Sequence, residues 1–132
     1  MALGQRGRGG NVAKILIADD SDMMRKIAKM IMEKAGHTVI EAHDGNEAVA
    51  LAKNELPNLV LLDAEMPEMD GWEACKAIKA DPATAQIPVL MCTGHDLSQE
   101  PEELTAIGAS GYITKPYQAQ QMQAKVAEVL NG

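Results

Sequence analysis

The sequence predicts an α/β protein, a single doubly wound domain on a five-stranded parallel sheet, and two features carry that prediction. From residue 12 onward, short apolar or β-branched runs alternate with longer amphipathic stretches, the pattern of repeated βα units. Three of the runs are also apolar without alternation, as strands covered by helices on both faces must be. A chain of 132 residues suits one domain, large enough to bury roughly two-thirds of its unfolded surface without disulfides.

Each element follows from its residues. The strands are expected at Ala13 to Ala18, Thr38 to Ala42, Leu59 to Leu62, Pro88 to Cys92 and Gly111 to Thr114. "SDMMRKIAKMIMEKA" reads as the first helix, with Met24, Ile27, Ala28, Ile31 and Ala35 at helical spacing and Ser21 or Asp22 as N-cap. "GNEAVALAKNE" reads as the second, closed by Leu56-Pro57, and "GWEACKAIKAD" as the third, ended by Asp81-Pro82. A short fourth helix spans about Glu100 to Ile107 with Gly108 as its C-cap. The fifth runs from about Gln118 to Leu130, with Met122, Val126, Val129 and Leu130 inward. Residues 1–11, "MALGQRGRGGN", are rich in glycine and carry no apolar periodicity, so they read as a flexible tail before a domain at 12–132. Only Asn131 and Gly132 follow the last helix, which suggests a unit that stands alone.

Composition narrows the function classes. A net charge of -7 and a pI near 4.9 argue against a nucleic-acid binder, which needs a basic face, and favour proteins or cations as partners. No apolar run approaches a membrane span and no signal-peptide core opens the chain, so no membrane insertion and a cytoplasmic location are expected. Cys75 and Cys92 lie far apart without metal-ligand spacing and read as buried thiols.

Chemistry concentrates at the carboxyl ends of the strands, where parallel sheets bind ligands. The first strand ends in Asp19 and Asp20, the third in Asp63, the fourth in Thr93, and the fifth runs into Lys115-Pro116. Carboxylates gathered there repel by about 4 kcal/mol per pair at roughly 4 Å in an effective dielectric near 20. A hard divalent cation removes the conflict: Mg²⁺ takes one or two carboxylates, keeps waters and completes its shell with phosphate oxygens. Lys115 supplies a cation for a phosphoryl group and Thr93 a hydroxyl. Asp63, alone at its strand end, is the nucleophile candidate, while Asp19 and Asp20 are paired for metal.

The segments "ILIADDSDMMRKI", "LVLLDAEMPEMDGWE", "VLMCTG" and "GYITKPY", in that order and spacing, resemble the receiver domain of two-component response regulators of the CheY type, over about residues 12 to 130. The resemblance implies a flavodoxin-like sheet of order 2-1-3-4-5, the order known for CheY. It implies that Asp63 accepts a phosphoryl group from the phosphohistidine of a sensor histidine kinase or a histidine phosphotransfer protein. Asp20, Asp63 and the backbone carbonyl of Glu65 would ligate Mg²⁺, or Mn²⁺ in its place, with Asp19 acting partly through water. Thr93 and Lys115 would contact the phosphoryl oxygens, Tyr112 would be an aromatic switch, Gly94 would leave room beside the phosphate, and Pro116 would follow a cis peptide.

Further expectations come with the family. Glu65 and His95 occupy the two positions that tune the lifetime of the acyl phosphate. The first helix would dock on the kinase, with Met23 and Met30 partly exposed for it. The face of the fourth helix, fifth strand and fifth helix, with Glu102, Glu103, Gln120, Gln121 and Lys125, would signal to a downstream protein effector. A phosphorelay shuttle or phosphate sink would use the same chemistry. Two rivals remain: a Mg²⁺-dependent aspartyl-phosphate phosphohydrolase with Glu65 as general acid, and a receiver that no longer accepts phosphate and acts purely by binding. His37 and His43 read as ordinary residues flanking the second strand.

Overall fold

The computed structural model describes residues 12–97, 99 and 101–131; the tail expected at 1–11 lies outside them. Five strands, β1 (Lys14–Ala18), β2 (Thr38–Ala42), β3 (Leu59–Asp63), β4 (Val89–Thr93) and β5 (Gly111–Thr114), form one parallel sheet in the order β2-β1-β3-β4-β5. They alternate with α1 (Asp22–Lys34), α2 (Gly45–Glu55), α3 (Gly71–Ala80), α4 (Pro101–Ala106) and α5 (Ala119–Asn131). The architecture is the flavodoxin-like doubly wound fold.

The continuous apolar runs are explained by which helices they meet. Along β1, Ile15 and Ile17 pack with α1 and α5, whereas Leu16 and Ala18 pack with α2, α3 and α4. Leu59 and Leu61 of β3 and Leu90 and Cys92 of β4 join the first layer, and Val60, Leu62, Val89 and Met91 the second. Two cores, one on each face of the sheet, thus draw on alternate residues of the same strands.

Helix starts are fixed by side chains that accept orphan N–H groups. Ser21 Oγ accepts from the Met24 N–H at 3.2 Å, Asp44 Oδ1 from Glu47 at 2.7 Å and Asp70 Oδ1 from Glu73 at 2.9 Å. Ser21, not Asp22, is therefore the first cap. Gly108, at φ +82°, closes the turn after α4 in the left-handed conformation expected of a helix-ending glycine.

Several boundaries differ from the sequence reading. Ala13 lies before β1, and both β3 and β4 extend one residue further, so that Asp63 and Thr93 are themselves strand residues. The ladder explains this: Asp63 lies opposite Cys92, and Thr93 opposite Thr114. The α4 helix is shorter than expected, Pro101–Ala106, and Glu100 lies outside the described residues. On α1 the buried stripe is Arg25, Ala28, Ile31 and Met32. Relative to the predicted stripe it is rotated, leaving Ala35 exposed and Met24 half-buried, because Arg25 takes an inward position. Met23 and Met30 are 69% and 59% exposed, as expected. His37 does more than flank β2: its Nδ1 accepts the Ala13 N–H at 3.0 Å.

Candidate phosphoacceptor and metal site

The sheet order places β1 beside β3, and β4 beyond it, so the acids at their carboxyl ends meet above the middle of the sheet. Carboxylate oxygens of Asp19, Asp20 and Asp63 lie within 4.8 Å of one another. Asp19 and Asp63 are buried, at 2% and 4% exposure, and Asp20 is exposed at the rim. Lys115 reaches in from the loop after β5, its Nζ 3.1 Å from both Asp19 Oδ2 and Asp63 Oδ1. The Lys115-Pro116 peptide is cis, as expected.

Backbone groups fix the two buried carboxylates. Asp19 Oδ1 accepts the Ser21 N–H at 2.9 Å, and Asp63 Oδ1 accepts the Glu65 N–H at 3.2 Å. The turn after β3 is held by a close approach: a Cβ on Gly71 would sit 2.1 Å from the Asp63 carbonyl oxygen and 2.8 Å from Ala64 Cα. Only glycine lets α3 start so near the end of β3.

The electrostatics show what this arrangement lacks. Burial, together with the neighbouring Asp19 charge, pushes the Asp63 carboxyl up to about 6, although Lys115 and the Glu65 N–H pull the other way. One lysine does not fully compensate three carboxylates. The donor set is hard oxygen, one acid faces solvent, and the spacing suits a single small cation, so the residues present fit Mg²⁺ with open positions for water and phosphate oxygens.

Thr93 is buried at the end of β4, its Oγ1 accepting the His95 N–H at 3.1 Å. His95 Nε2 in turn lies 2.9 Å from Glu65 Oε2, so the two positions expected to tune phosphate lifetime touch each other across the mouth of the pocket. A Cβ on Gly94 would meet nothing within 4 Å, so there is open space at that position. The Tyr112 ring packs against the core beneath α2, α3 and α4, and its hydroxyl donates to Asp96 Oδ1 at 3.0 Å.

Sequence reasoning missed Arg25. It is the one buried cation among the described residues, 5% exposed, and its Nη1 donates to the Asp19 carbonyl at 2.8 Å. Its signal was available: Arg25, Ala28 and Met32 share one helical face, and Glu41 is the lone acid in the strand "TVIEA".

Cys75 and Cys92 are free and buried, and burial pushes their thiols up to about 11 and about 12, which makes them inert at neutral pH. No helix among the described residues is long and apolar enough to cross a membrane.

Comparison with known proteins agrees with this geometry. The family model for the response regulator receiver domain matches residues 15–127. Protein PilH of Pseudomonas aeruginosa is 38% identical over 122 residues, covering 92% of this chain and 100% of that protein. The probable transcriptional regulator ycf27 of Porphyridium aerugineum is 36% identical over 119 residues, 89% of this chain but 48% of that protein, so the chain spans about half the length of that relative. The structure of chemotaxis protein CheY4 of Vibrio cholerae superposes with a TM-score of 0.84 at 31% identity, covering 89% of this chain and 98% of that one. A five-stranded sheet of this order, with clustered acids and a lysine at its carboxyl edge, and a family match over most of its length place this chain in the response regulator receiver domain family.

Proposed function

We propose that Asp63 accepts a phosphoryl group from the phosphohistidine of a sensor histidine kinase or a histidine phosphotransfer protein, and that the chain passes its phosphorylation state to a protein effector. The observation that carries this reading is the Lys115 ammonium held 3.1 Å from both Asp19 and Asp63, beside a third carboxylate spaced for one shared cation. Asp63 Oδ1 is engaged by Lys115 and the Glu65 N–H, which leaves Oδ2 to attack phosphorus. The new O–P bond forms as the N–P bond to the donor imidazole breaks, its electron pair returning to that nitrogen. Asp20, Asp63 and the Glu65 carbonyl, with Asp19 acting partly through water, would hold Mg²⁺, which would supply charge neutralisation for the phosphoryl oxygens.

The protein's own groups position the rest. Lys115 needs only to exchange a carboxylate oxygen for a phosphoryl oxygen, and the Thr93 hydroxyl donates to another. Drawing Thr93 toward the phosphate would release space on the far side of β4 into which Tyr112 turns. The face of α4, β5 and α5 would thereby favour one of two arrangements, since a ligand shifts an equilibrium only through better contacts with one state. Signalling, not turnover of a free substrate, is the output, with slow self-catalysed loss of phosphate resetting the switch. A role as phosphorelay shuttle shares this chemistry, and following label from Asp63 onto a second histidine protein separates the two.

Intact mass after treatment with a small phosphodonor and Mg²⁺ tests the reading. One phosphoryl group is expected on the wild-type chain and none on Asp63→Asn. A chain that stays unmodified would return the reading of a receiver that acts purely by binding, and multiple turnover on a phosphomonoester would favour the phosphohydrolase.

A further inference from the structure

Arg25 sits where a core helix position would ordinarily hold an aliphatic residue, in line with Ala28 and Met32 on the inward face of α1. Each of its three guanidinium nitrogens has a partner on a different segment. Nη1 donates to the Asp19 carbonyl at 2.8 Å, Nη2 to Asp22 Oδ1 at 2.6 Å at the start of α1, and Nε to Glu41 Oε1 at 3.0 Å on β2. Glu41 is held from its other oxygen by Lys29 at 3.2 Å.

Stability gives little reason for such a group. Burying a charge is costly even when it is paired, and replacing a buried ion pair by well-packed apolar side chains is often neutral or stabilising. What the fork does that an aliphatic chain cannot is grip one particular carbonyl. The Asp19 carbonyl belongs to the peptide that joins Asp19 to Asp20, so its orientation sets the angle between the two side chains that follow from that plane. One of those carboxylates is buried against Lys115 and the other is exposed at the rim.

Resting on the metal-dependent reading above, we infer that Arg25 is a positioning residue for the acid pocket: by holding the Asp19-Asp20 peptide from behind, it presets the geometry in which the two carboxylates meet a divalent cation. Its guanidinium bonds to the Asp19 carbonyl, Asp22 and Glu41, not to a carboxylate of the pocket. Residues behind metal ligands act in this way elsewhere, and losing one typically weakens metal binding about 10- to 100-fold.

The test is calorimetric titration of MgCl₂ into the wild-type chain, Arg25→Met and Glu41→Gln. Arg25→Met keeps an apolar side chain on the inward face and leaves Glu41 its Lys29 partner, but releases the Asp19 carbonyl. Its Mg²⁺ dissociation constant is expected to rise about 10-fold or more. Glu41→Gln still offers Arg25 an oxygen acceptor and leaves the Asp19 contact in place, so its dissociation constant should stay within about twofold of wild type whatever its melting temperature does. Arg25→Met binding Mg²⁺ as wild type does, or Glu41→Gln losing as much affinity as Arg25→Met, would overturn the inference while leaving the metal site intact. Wild-type chain that binds no Mg²⁺ would overturn the metal-dependent reading and this role together. Should Arg25→Met not fold, the wild-type chain decides: Mg²⁺ should shift the Arg25 Nε–Hε resonance and slow its exchange with water, and an unchanged resonance at saturating Mg²⁺ would refute the coupling.

Discussion

Without a bound cation, Asp63 should destabilise the fold at neutral pH, and Asp63→Asn should therefore be the more stable protein. The native carboxyl is pushed up to about 6 from an ordinary 3.8 by burial and by the Asp19 charge. At 1.36 kcal/mol per unit this corresponds to about 3 kcal/mol. The sign follows from proton binding: between pH 3.8 and about 6 the folded chain holds a proton on Asp63 that the unfolded chain has lost, so this contribution favours folding below that window. It is lost as pH rises through about 6. Asparagine has no such charge to bury. In EDTA at pH 7, Asp63→Asn should melt higher than wild type by roughly 10 °C, taking about 3 °C per kcal/mol for a domain of this size. The gap should close toward pH 4, where both side chains are neutral in the fold. Mg²⁺ should close the gap, since a cation at 100 times its dissociation constant adds about 2.7 kcal/mol to a chain that binds it, and should reverse the order at about 1,000 times, where it adds about 4.1 kcal/mol. Thermal melts by circular dichroism, with and without Mg²⁺ from pH 4 to 7.5, measure all of this. If Asp63→Asn melts at or below wild type in EDTA at pH 7, the crowding of acids inferred from the structure is absent.

Two glycines near the site should behave oppositely. Gly71→Ala drives a Cβ to within 2.1 Å of the Asp63 carbonyl oxygen, a backbone atom that cannot swing aside, and should cost at least about 3 kcal/mol by urea denaturation. Gly94→Ala meets nothing within 4 Å and should change stability by no more than about 0.5 kcal/mol. At the mouth of the pocket, Glu65→Asn and His95→Ala each break the 2.9 Å contact between these side chains. Both should change the rate at which labelled Asp63 loses phosphate, and unchanged rates in both would remove the pair from any part in phosphate lifetime. On α1, Met23→Gln and Met30→Gln alter side chains already 69% and 59% exposed, so stability should move by less than about 0.5 kcal/mol. If this surface docks on the kinase, the rate of phosphotransfer from phosphohistidine should fall in the double variant while the rate from a small phosphodonor does not.

The fold was legible because its pattern is redundant. Runs such as "ILIA" and "LVLL" are apolar at every position, as a strand covered on both faces is, and each is short and followed by a helix with its own cap. The order of strands was a different matter. Periodicity places residues on faces but does not say which strand lies beside which, so order 2-1-3-4-5 rested on the resemblance and then on the observed ladder. Boundaries shifted where tertiary pairing outweighs residue type: Asp63 and Thr93 are poor endings for apolar runs, yet both continue their ladders into the site.

The site was legible to the extent that its members carry charge at strand ends, and illegible where a residue acts through the backbone. Asp19 and Lys115 are 96 residues apart, and Asp63 and Lys115 are 52 apart; only their shared place at the carboxyl edge of one sheet foretells that a single ammonium will lie 3.1 Å from both acids. Arg25 sits six residues from Asp19 and was passed over, because a cation on an amphipathic helix is ordinarily solvated. What distinguished it was a coincidence of two weak signals, an arginine in line with Ala28 and Met32 and a lone glutamate within "TVIEA" on the neighbouring strand. Neither means much alone, but a buried cation and a buried-side acid require each other. The glutamate in the strand was therefore the stronger clue, since β2 pairs with β1 residue for residue and Glu41 lies opposite Ile17, two positions before the first acid of the pocket.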